Sequence, residues 1–326
     1  MSLPGPILTL NNVSVTYKRP DRTRLMAVSG VNLTLYKGEI LGLVGESGCG
    51  KSTLGKAAVG ILPASGGHIT FNGTKVEALN RSVRSRELLK LQLIFQDPYS
   101  SLNPRRKIGD QLIDGLVNFG VDTESARESS ARLLERVGLS RSALSQYTHQ
   151  FSGGQRQRIA IARALTLQPE VIIADEPISA LDASAQAQVA NLLVELVQEL
   201  GMSMIFISHD LSVVRQISDR TAVMYLGKLV EVAPTKEIWD NPRHPYTKAL
   251  IAAIPKPDGK GFLPIELPGD VPDPRLPPSG CRFHPRCPVA ISQCKVLEPE
   301  MALSEGRWSS CLLNNELKLG RPHNVV

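Results

Sequence analysis

The sequence predicts an α/β fold with an N-terminal antiparallel β subdomain, a parallel-sheet core, a helical insertion and a small cysteine-containing C-terminal extension. Strand-like and helix-like segments alternate through most of the chain, as in proteins built from parallel β-α-β units. Prolines become dense after residue 253 and disfavour helices and central strands there. We therefore predict a main domain over 1–253, with the helical insertion at about 104–150, and a proline-rich arm with a cysteine cluster over 254–326.

The elements of the first half follow from the spacing of apolar residues. Apolar and polar residues alternate at 13–17 and 31–35, as in half-buried antiparallel strands. A continuous apolar run at 40–44 leads through a glycine-rich turn into a helical stretch at 54–61. Apolar residues then recur at helical spacing over 108–144, which predicts the helical insertion.

The second half of the main domain has the pattern of a parallel sheet. Short apolar runs at 171–174 and 204–207 flank a helix with an apolar stripe over 189–200. A hairpin over 221–232 is expected to close the domain. The eight prolines between 255 and 278 predict an extended arm.

Composition and charge limit the class of protein. Every apolar run is shorter than the roughly 20 residues that a membrane-spanning helix requires. The N-terminus lacks the features of a signal peptide, so we expect a cytoplasmic chain. The net charge of +6 would suit nucleic acid or an anionic membrane, but the basic residues are scattered, which favours an ordinary solvated surface.

A phosphate-loop motif spans residues 45–52, which read Gly-Glu-Ser-Gly-Cys-Gly-Lys-Ser and lie between a predicted buried strand and a helix. Backbone N–H groups and the helix dipole would bind phosphate, with Lys51 reaching the β- and γ-phosphates and Ser52 binding Mg²⁺. Cys49 fills a free position and is interpreted as a bystander, not a nucleophile. The predicted ATP-binding residues here are Gly45, Ser47, Gly48, Cys49, Gly50, Lys51, Ser52 and Thr53.

Two carboxylates directly follow the apolar run at 171–174. Asp175 and Glu176 would therefore lie at the carboxyl edge of a parallel sheet, where ligands of such folds bind. We predict that Asp175 holds Mg²⁺, usually through water, and that Glu176 polarises the attacking water as a general base.

Residues 151–155, Phe-Ser-Gly-Gly-Gln, resemble the LSGGQ signature of ABC (ATP-binding cassette) ATPases. Phe151 replaces the commoner leucine, which changes packing only. Other family landmarks follow in the expected order: Gln96 in a Q-loop, a D-loop at 179–182, and His209 as the switch histidine. The resemblance also implies an ABC-type P-loop fold and an adenine-stacking role for Tyr17.

The resemblance implies a mechanism that needs two nucleotide-binding domains. They would close head to tail around ATP, so that the signature of one chain contacts ATP bound to the loop of the other. These contacts in trans would come from Ser152, Gly153, Gly154 and Gln155. Catalysis would depend on Glu176, His209 and Gln96, and Mg²⁺ would be held by Ser52, Gln96 and Asp175.

Three stretches are similar to the ATPases of bacterial oligopeptide and dipeptide importers: 95–105, 241–247 and the cysteine-bearing tail. The first resembles the F-type ATPase, which pairs with a D-type ATPase. The resemblance implies a peripheral motor subunit at the cytoplasmic face of the inner membrane, bound to two permeases and indirectly served by a solute-binding protein. Nickel, glutathione and opine importers share the pattern, so the cargo stays open.

Two rival functions have sequence features that can be checked. Soluble ABC ATPases that act on nucleic acid or the ribosome usually carry two cassettes or a long coiled coil, and this chain has one phosphate loop. We therefore expect no nucleic-acid partner. A degenerate, non-catalytic cassette would lack a catalytic group, yet the sequence keeps Lys51, Gln96, Asp175, Glu176 and His209.

Four cysteines crowd the C-terminal tail. The resemblance of the tail to peptide-importer ATPases implies a [4Fe–4S] cluster with a structural or redox role, for which four thiolates suffice. The cysteines are separated by five, six and sixteen residues, which matches neither zinc ribbons nor the common ferredoxin run. Zinc, or free thiols packed as small hydrophobes, are the alternatives. The expected cluster ligands are Cys281, Cys287, Cys294 and Cys311.

Overall fold

The computed structural model describes residues 5–18, 24–79, 84–254 and 269–316. Its strands form two sheets. In chain order they are β1 (Pro6–Lys18), β2 (Arg24–Tyr36), β3 (Ile40–Val44), β4 (Gly66–Phe71), β5 (Thr74–Lys75), β6 (Leu91–Ile94), β7 (Val171–Asp175), β8 (Ser203–Ser208), β9 (Arg220–Tyr225), β10 (Lys228–Pro234), β11 (Ala302–Ser304) and β12 (Arg307–Ser309).

The described residues also form α-helices. In chain order they are α1 (Lys51–Ala58), α2 (Pro98–Ser101), α3 (Ile108–Asn118), α4 (Thr123–Arg136), α5 (Gly153–Leu165), α6 (Ala183–Glu199), α7 (Leu211–Ile217), α8 (Thr235–Asp240), α9 (Pro245–Ala252) and α10 (Leu312–Glu316). No helix in the described ranges is long and apolar enough to cross a membrane.

The N-terminal sheet is antiparallel and has the strand order β2-β1-β4-β5. Its long strands alternate as the sequence predicts: Val13 and Val15 are buried, whereas Ser14 and Thr16, which follow them, are half-buried. The apolar face packs against β3 and α1, because Val13, Leu41 and Leu54 share one hydrophobic cluster. This subdomain therefore covers one side of the segment between β3 and α1.

The core sheet has the order β11-β12-β10-β9-β3-β8-β7-β6. Strands β6, β7, β8, β3 and β9 run parallel, so their carboxyl ends share one edge. All five residues of β3 and of β7 are buried, which explains their continuous apolar runs. The predicted α/β fold is confirmed, and its parallel edge is where ligands of such sheets bind.

The helical insertion consists of α3 and α4 with short 3₁₀ turns after them. Leu134 and Val137 are fully buried, and both belong to the hydrophobic cluster that includes core-sheet residues. Asp122 caps α4 by accepting a hydrogen bond from the Ser125 N–H at 2.9 Å. The insertion leads directly into α5, at whose start the signature-like segment lies.

The C-terminal extension adds two strands to the core sheet. β12 pairs antiparallel with β10 through Glu231 opposite Ser309 and Val232 opposite Trp308. The boundary between 253 and 254 stays a prediction, and this pairing shows that the two parts share a sheet. Residues 255–268, where much of the predicted extended arm falls, lie outside the described residues.

Candidate nucleotide site

The loop that joins β3 to α1 has a conformation that requires glycine. Gly50 has a φ of 108°, and a Cβ added there would lie 2.3 Å from the carbonyl oxygen of Ala27. Lys51 begins α1 and is buried. Its Nζ donates hydrogen bonds to the carbonyl oxygens of Gly45 at 2.7 Å and Glu46 at 3.0 Å. The backbone thus folds around the lysine ammonium beside a helix N-terminus, an arrangement suited to anions.

Ser52 and Asp175 meet at the start of the same helix. The Ser52 hydroxyl donates a hydrogen bond of 2.6 Å to Asp175 Oδ1. Asp175 is buried at the end of β7, and burial raises the pKa of its carboxyl, an effect that the Ser52 hydrogen bond partly offsets. The pair presents two hard oxygen atoms at one point, which is the donor chemistry that Mg²⁺ prefers.

Three side chains from neighbouring parallel strands converge beside this pair. Glu176 follows β7, Gln96 follows β6, and His209 follows β8. Gln96 Nε2 donates to Glu176 Oε2 at 3.0 Å, and His209 Nδ1 lies 3.3 Å from the same oxygen. The three predicted catalytic residues are therefore in direct contact.

The backbone of Glu176 is held in an unusual conformation. Its φ of 45° lies in the left-handed region, which costs a residue with a side chain about 1–3 kcal/mol. Its N–H donates to the carbonyl of Ile207 at 3.0 Å, and the Ser179 hydroxyl donates to its carbonyl at 3.1 Å. These bonds fix the direction of the Glu176 side chain.

Tyr17 and Cys49 border the loop. The Tyr17 hydroxyl lies 3.2 Å from Thr53 Oγ1, so its partly exposed ring stands next to the predicted phosphate site. Cys49 is buried, and burial raises the pKa of its thiol. Its Sγ is 3.9 Å from Lys51 Nζ.

The signature-like residues form the start of α5. The Ser152 hydroxyl accepts from the Gln155 N–H at 3.3 Å, and the Gln155 side chain accepts from the Ser152 N–H at 2.9 Å, which is a capping box. In the described residues, the hydrogen bonds of these two side chains do not reach the phosphate loop of the same chain. Ser152, Gly153 and Gln155 are exposed.

Comparison with known proteins identifies the family. Residues 28–179 match the family model described as ABC transporter, and 230–294 match the oligopeptide/dipeptide transporter C-terminal region. The oligopeptide transport ATP-binding protein OppF of Escherichia coli is 48% identical over 303 residues, covering 90% of this chain and 89% of OppF. The chain belongs to the ABC transporter ATP-binding proteins. The expected ABC-type ATPase of the oligopeptide/dipeptide importer family is confirmed.

Further relatives agree with this assignment. The oligopeptide transport ATP-binding protein AppF of Bacillus subtilis is 50% identical over 283 residues, covering 84% of this chain and 85% of AppF. The ABC cassette MJ0796, solved as a dimer with bound ADP and phosphate, is 28% identical with a TM-score of 0.62, covering 70% of this chain and 99% of MJ0796. As an ABC ATPase, the chain binds and hydrolyses ATP.

The prediction of an iron–sulfur cluster is wrong. Burial raises the pKa of the Cys281 thiol to about 11, with a further increase from the neighbouring Cys294, Cys311 and Cys287. In the described part of the chain, no group of three or more Cys, His, Asp and Glu side chains is arranged to hold a metal ion. Cys281 and Cys287 instead pack against the main hydrophobic cluster.

Three contacts to the loop of this ABC ATPase were not predicted from the sequence. The Glu46 N–H donates to the Tyr246 hydroxyl at 2.9 Å, and the Glu46 carboxylate accepts two hydrogen bonds from Arg286 at 2.8 and 3.0 Å. The Gly227 N–H donates to the Cys49 carbonyl at 2.8 Å. Tyr246 lies in one of the stretches that indicated the family, but its sequence neighbours give no sign of a contact 200 positions away.

Proposed function

We propose that this ATPase powers the import of dipeptides, oligopeptides or a related solute, and that residues 45–53 with Asp175, Glu176, Gln96 and His209 form its hydrolytic site. The observation that carries the site assignment is the contact of Glu176 Oε2 with both Gln96 and His209 beside the Ser52–Asp175 pair. A carboxylate that two neighbouring side chains hold in a fixed position is well placed to act as a base.

The binding half of the site consists of the loop and the start of α1. Lys51 would bind the β- and γ-phosphates, assisted by backbone N–H groups of the loop and by the dipole of α1. Ser52, Gln96 and Asp175 would hold Mg²⁺, which supplies positive charge to the phosphate oxygens. Tyr17, whose hydroxyl contacts Thr53, would stack on the adenine ring.

The catalytic half consists of three strand ends. Glu176 would accept a proton from the attacking water, while Gln96 orients the Glu176 carboxylate. His209, which follows β8, would contact the γ-phosphate as well as the carboxylate of Glu176. Because all three side chains follow adjacent parallel strands, a shift at the end of one strand changes the contacts of the other two.

The complete site requires a second cassette. Ser152, Gly153, Gly154 and Gln155 would contact ATP bound to the partner, which agrees with the exposed position of this helix start. The dimeric form of MJ0796 with ADP and phosphate supports such an arrangement. We assign as partners a D-type ATPase, two membrane permeases and, indirectly, a solute-binding protein, with this chain peripheral at the cytoplasmic face of the inner membrane.

The cargo assignment rests on relatives. OppF and AppF are both named oligopeptide transport proteins, and the C-terminal family match carries the same description. To test it, we would purify the whole transporter through a tag on this chain, reconstitute it in liposomes with its solute-binding protein, and measure ATP hydrolysis. Stimulation by dipeptides or oligopeptides, lost with Lys51→Ala, supports the cargo. Stimulation by nickel, glutathione or an opine, and none by peptides, contradicts it.

A further inference from the structure

We propose that Arg286, in the C-terminal extension, is a positioning residue for the phosphate loop and acts through Glu46. Arg286 Nη1 donates to Glu46 Oε2 at 2.8 Å, and Nη2 donates to Oε1 at 3.0 Å. Two parallel bonds of this kind fix both distance and direction. The inference rests on the proposed assignment of 45–52 as the phosphate-binding loop.

The pair is enclosed, unlike an ordinary surface salt bridge. The side chain of Arg286 is 4% exposed and that of Glu46 is 18% exposed. Exposed pairs contribute little to structure, whereas removal of one partner from a buried pair leaves an uncompensated charge. The guanidinium carbon also lies 6.0 Å from the ring centre of Tyr225. Arg286 is therefore held in place on more than one side.

The main chain of Glu46 is fixed by the same region. Its N–H donates to the hydroxyl of Tyr246, a fully buried residue at the start of α9. The Tyr246 ring lies 4.6 Å from that of Tyr225 and 5.3 Å from that of Phe283, measured between centroids. Phe283 belongs to the extension, three positions before Arg286. An aromatic cluster shared by the core and the extension thus supports both contacts to Glu46.

The position of Glu46 determines the position of the phosphate-binding lysine. The carbonyl of Glu46 accepts a hydrogen bond from Lys51 Nζ, as does the carbonyl of Gly45. A loop that moved at Glu46 would change both acceptors at once. Arg286 can therefore affect phosphate binding without touching the nucleotide.

A second set of contacts links the extension to the loop at Cys49. Arg282, also in the extension, donates to the carbonyl of Leu226 in the turn between β9 and β10. The next residue of that turn, Gly227, donates through its N–H to the Cys49 carbonyl. The extension thus holds the loop directly through Arg286 and indirectly through this turn.

The expected effect is on nucleotide affinity. A loop already held in its binding conformation loses less entropy when it binds phosphate. Loss of the pair should therefore raise the KM and Kd for ATP and leave kcat nearly unchanged, because the loop contacts ATP in the ground state and in the transition state alike.

The test uses the full-length chain and MgATP binding measured by calorimetry. We expect Arg286→Gln to weaken ATP binding roughly tenfold, within the range of coupling between residues in contact. Arg307→Gln is the matched control, because Arg307 is also a buried arginine of the extension with a carboxylate partner, Glu237. Within the described ranges, its hydrogen bonds and ion pairs do not reach the loop. We expect this control to bind ATP within about twofold of wild type.

A double-mutant cycle tests whether Arg286 acts through Glu46. The double variant Glu46→Gln/Arg286→Gln should bind ATP no more weakly than Arg286→Gln alone, and Arg286→Lys should be intermediate because lysine cannot bind both oxygens in a fork. The double variant leaves no unpaired buried charge, so it keeps the test possible if Arg286→Gln does not fold.

Three results would overturn the inference. The first is a wild-type ATP affinity in folded Arg286→Gln. The second is an equal loss of ATP affinity in Arg307→Gln. The third is a double variant whose loss of ATP affinity is the product of the losses in the Glu46→Gln and Arg286→Gln single variants, which would show that the two residues act independently. Lys51→Ala is measured alongside. If Lys51→Ala binds ATP normally, the assignment of the phosphate loop fails instead, which separates the two proposals.

Discussion

The hydroxyl of Ser52, in the first turn of α1, donates a 2.6 Å hydrogen bond to the buried carboxylate of Asp175 at the end of β7. This contact joins the proposed phosphate loop to the strand that ends beside the proposed catalytic carboxylate, Glu176. Since Glu176 is the next residue, the proposed nucleotide-binding and hydrolytic parts of the site are linked through two consecutive positions, Asp175 and Glu176. Their geometry therefore cannot change independently.

This relationship predicts how Mg²⁺ binding depends on pH. Burial raises the pKa of Asp175, so the carboxyl takes up a proton at a higher pH than an ordinary aspartate. Only the ionised form binds the cation well. We expect Mg²⁺ affinity in the presence of ATP to fall as pH is lowered through this raised pKa, that is, at a higher pH than for an aspartate with the ordinary pKa of 3.8.

Titration of Mg²⁺ by calorimetry at several pH values checks this expectation. Asp175→Asn should bind Mg²⁺ weakly at every pH and show a smaller pH dependence than wild type. The same pH dependence in wild type and Asp175→Asn would show that protonation of Asp175 does not control Mg²⁺ binding.

A second pH effect is predicted at the junction between α9 and the extension. His244 is buried, and burial lowers its pKa to about 3 from 6.5. Its Nδ1 accepts a hydrogen bond from the Tyr246 N–H at 3.0 Å, which requires the unprotonated nitrogen. The unfolded chain binds this proton more readily, so the free energy of unfolding should fall as pH drops below 6.5. Each pKa unit corresponds to about 1.4 kcal/mol.

Urea unfolding as a function of pH measures the effect. His244→Gln is the comparison, and it should show a smaller decrease in stability on acidification. Glu231, whose carboxylate accepts a hydrogen bond from the His244 N–H, has a pKa raised by burial. Its effect on stability is opposite, because the folded chain takes up the Glu231 proton more readily than the unfolded chain as pH falls. Equal slopes for wild type and His244→Gln would rule out the histidine as the source.

The sequence predicted the residues whose chemistry depends on local spacing. The phosphate-loop motif, Asp175 and Glu176 can be identified as candidates from the sequence because a motif or a strand end places them. Arg286 could not be, because its partner Glu46 lies 240 positions earlier and no pattern in either segment refers to the other. The pairing of β12 with β10 was also missed, since a three-residue strand carries almost no periodic signal.

The cysteine prediction failed for a related reason. Crowding of Cys281, Cys287, Cys294 and Cys311 along the chain says nothing about the direction of each thiol. In the fold, all four thiols are buried or half-buried, and Cys281 and Cys287 pack against the main hydrophobic cluster. In the part of the chain that the structure describes, no three Cys, His, Asp or Glu side chains are arranged to hold a metal ion.

The subunit composition gives a further prediction. A chain with one phosphate loop and an exposed signature requires a second cassette, and the stretch at 95–105 resembles the F-type partner of a heterodimer. Purification of the membrane complex through a tag on this chain should yield one copy of it with one different ATPase. Quantitative mass spectrometry measures the ratio. Two copies of this chain without another ATPase would contradict the heterodimer and leave the transporter assignment intact.

The central claim is that Glu176 is the base of an ATP-hydrolysing site. Glu176→Gln keeps the size of the side chain and its contact positions near Gln96 and His209. The most direct measurement compares ATP binding and steady-state phosphate release by wild-type and Glu176→Gln transporter. The account predicts unchanged ATP affinity with phosphate release about 10²- to 10⁴-fold slower. Near wild-type release by the Glu176→Gln protein would contradict it.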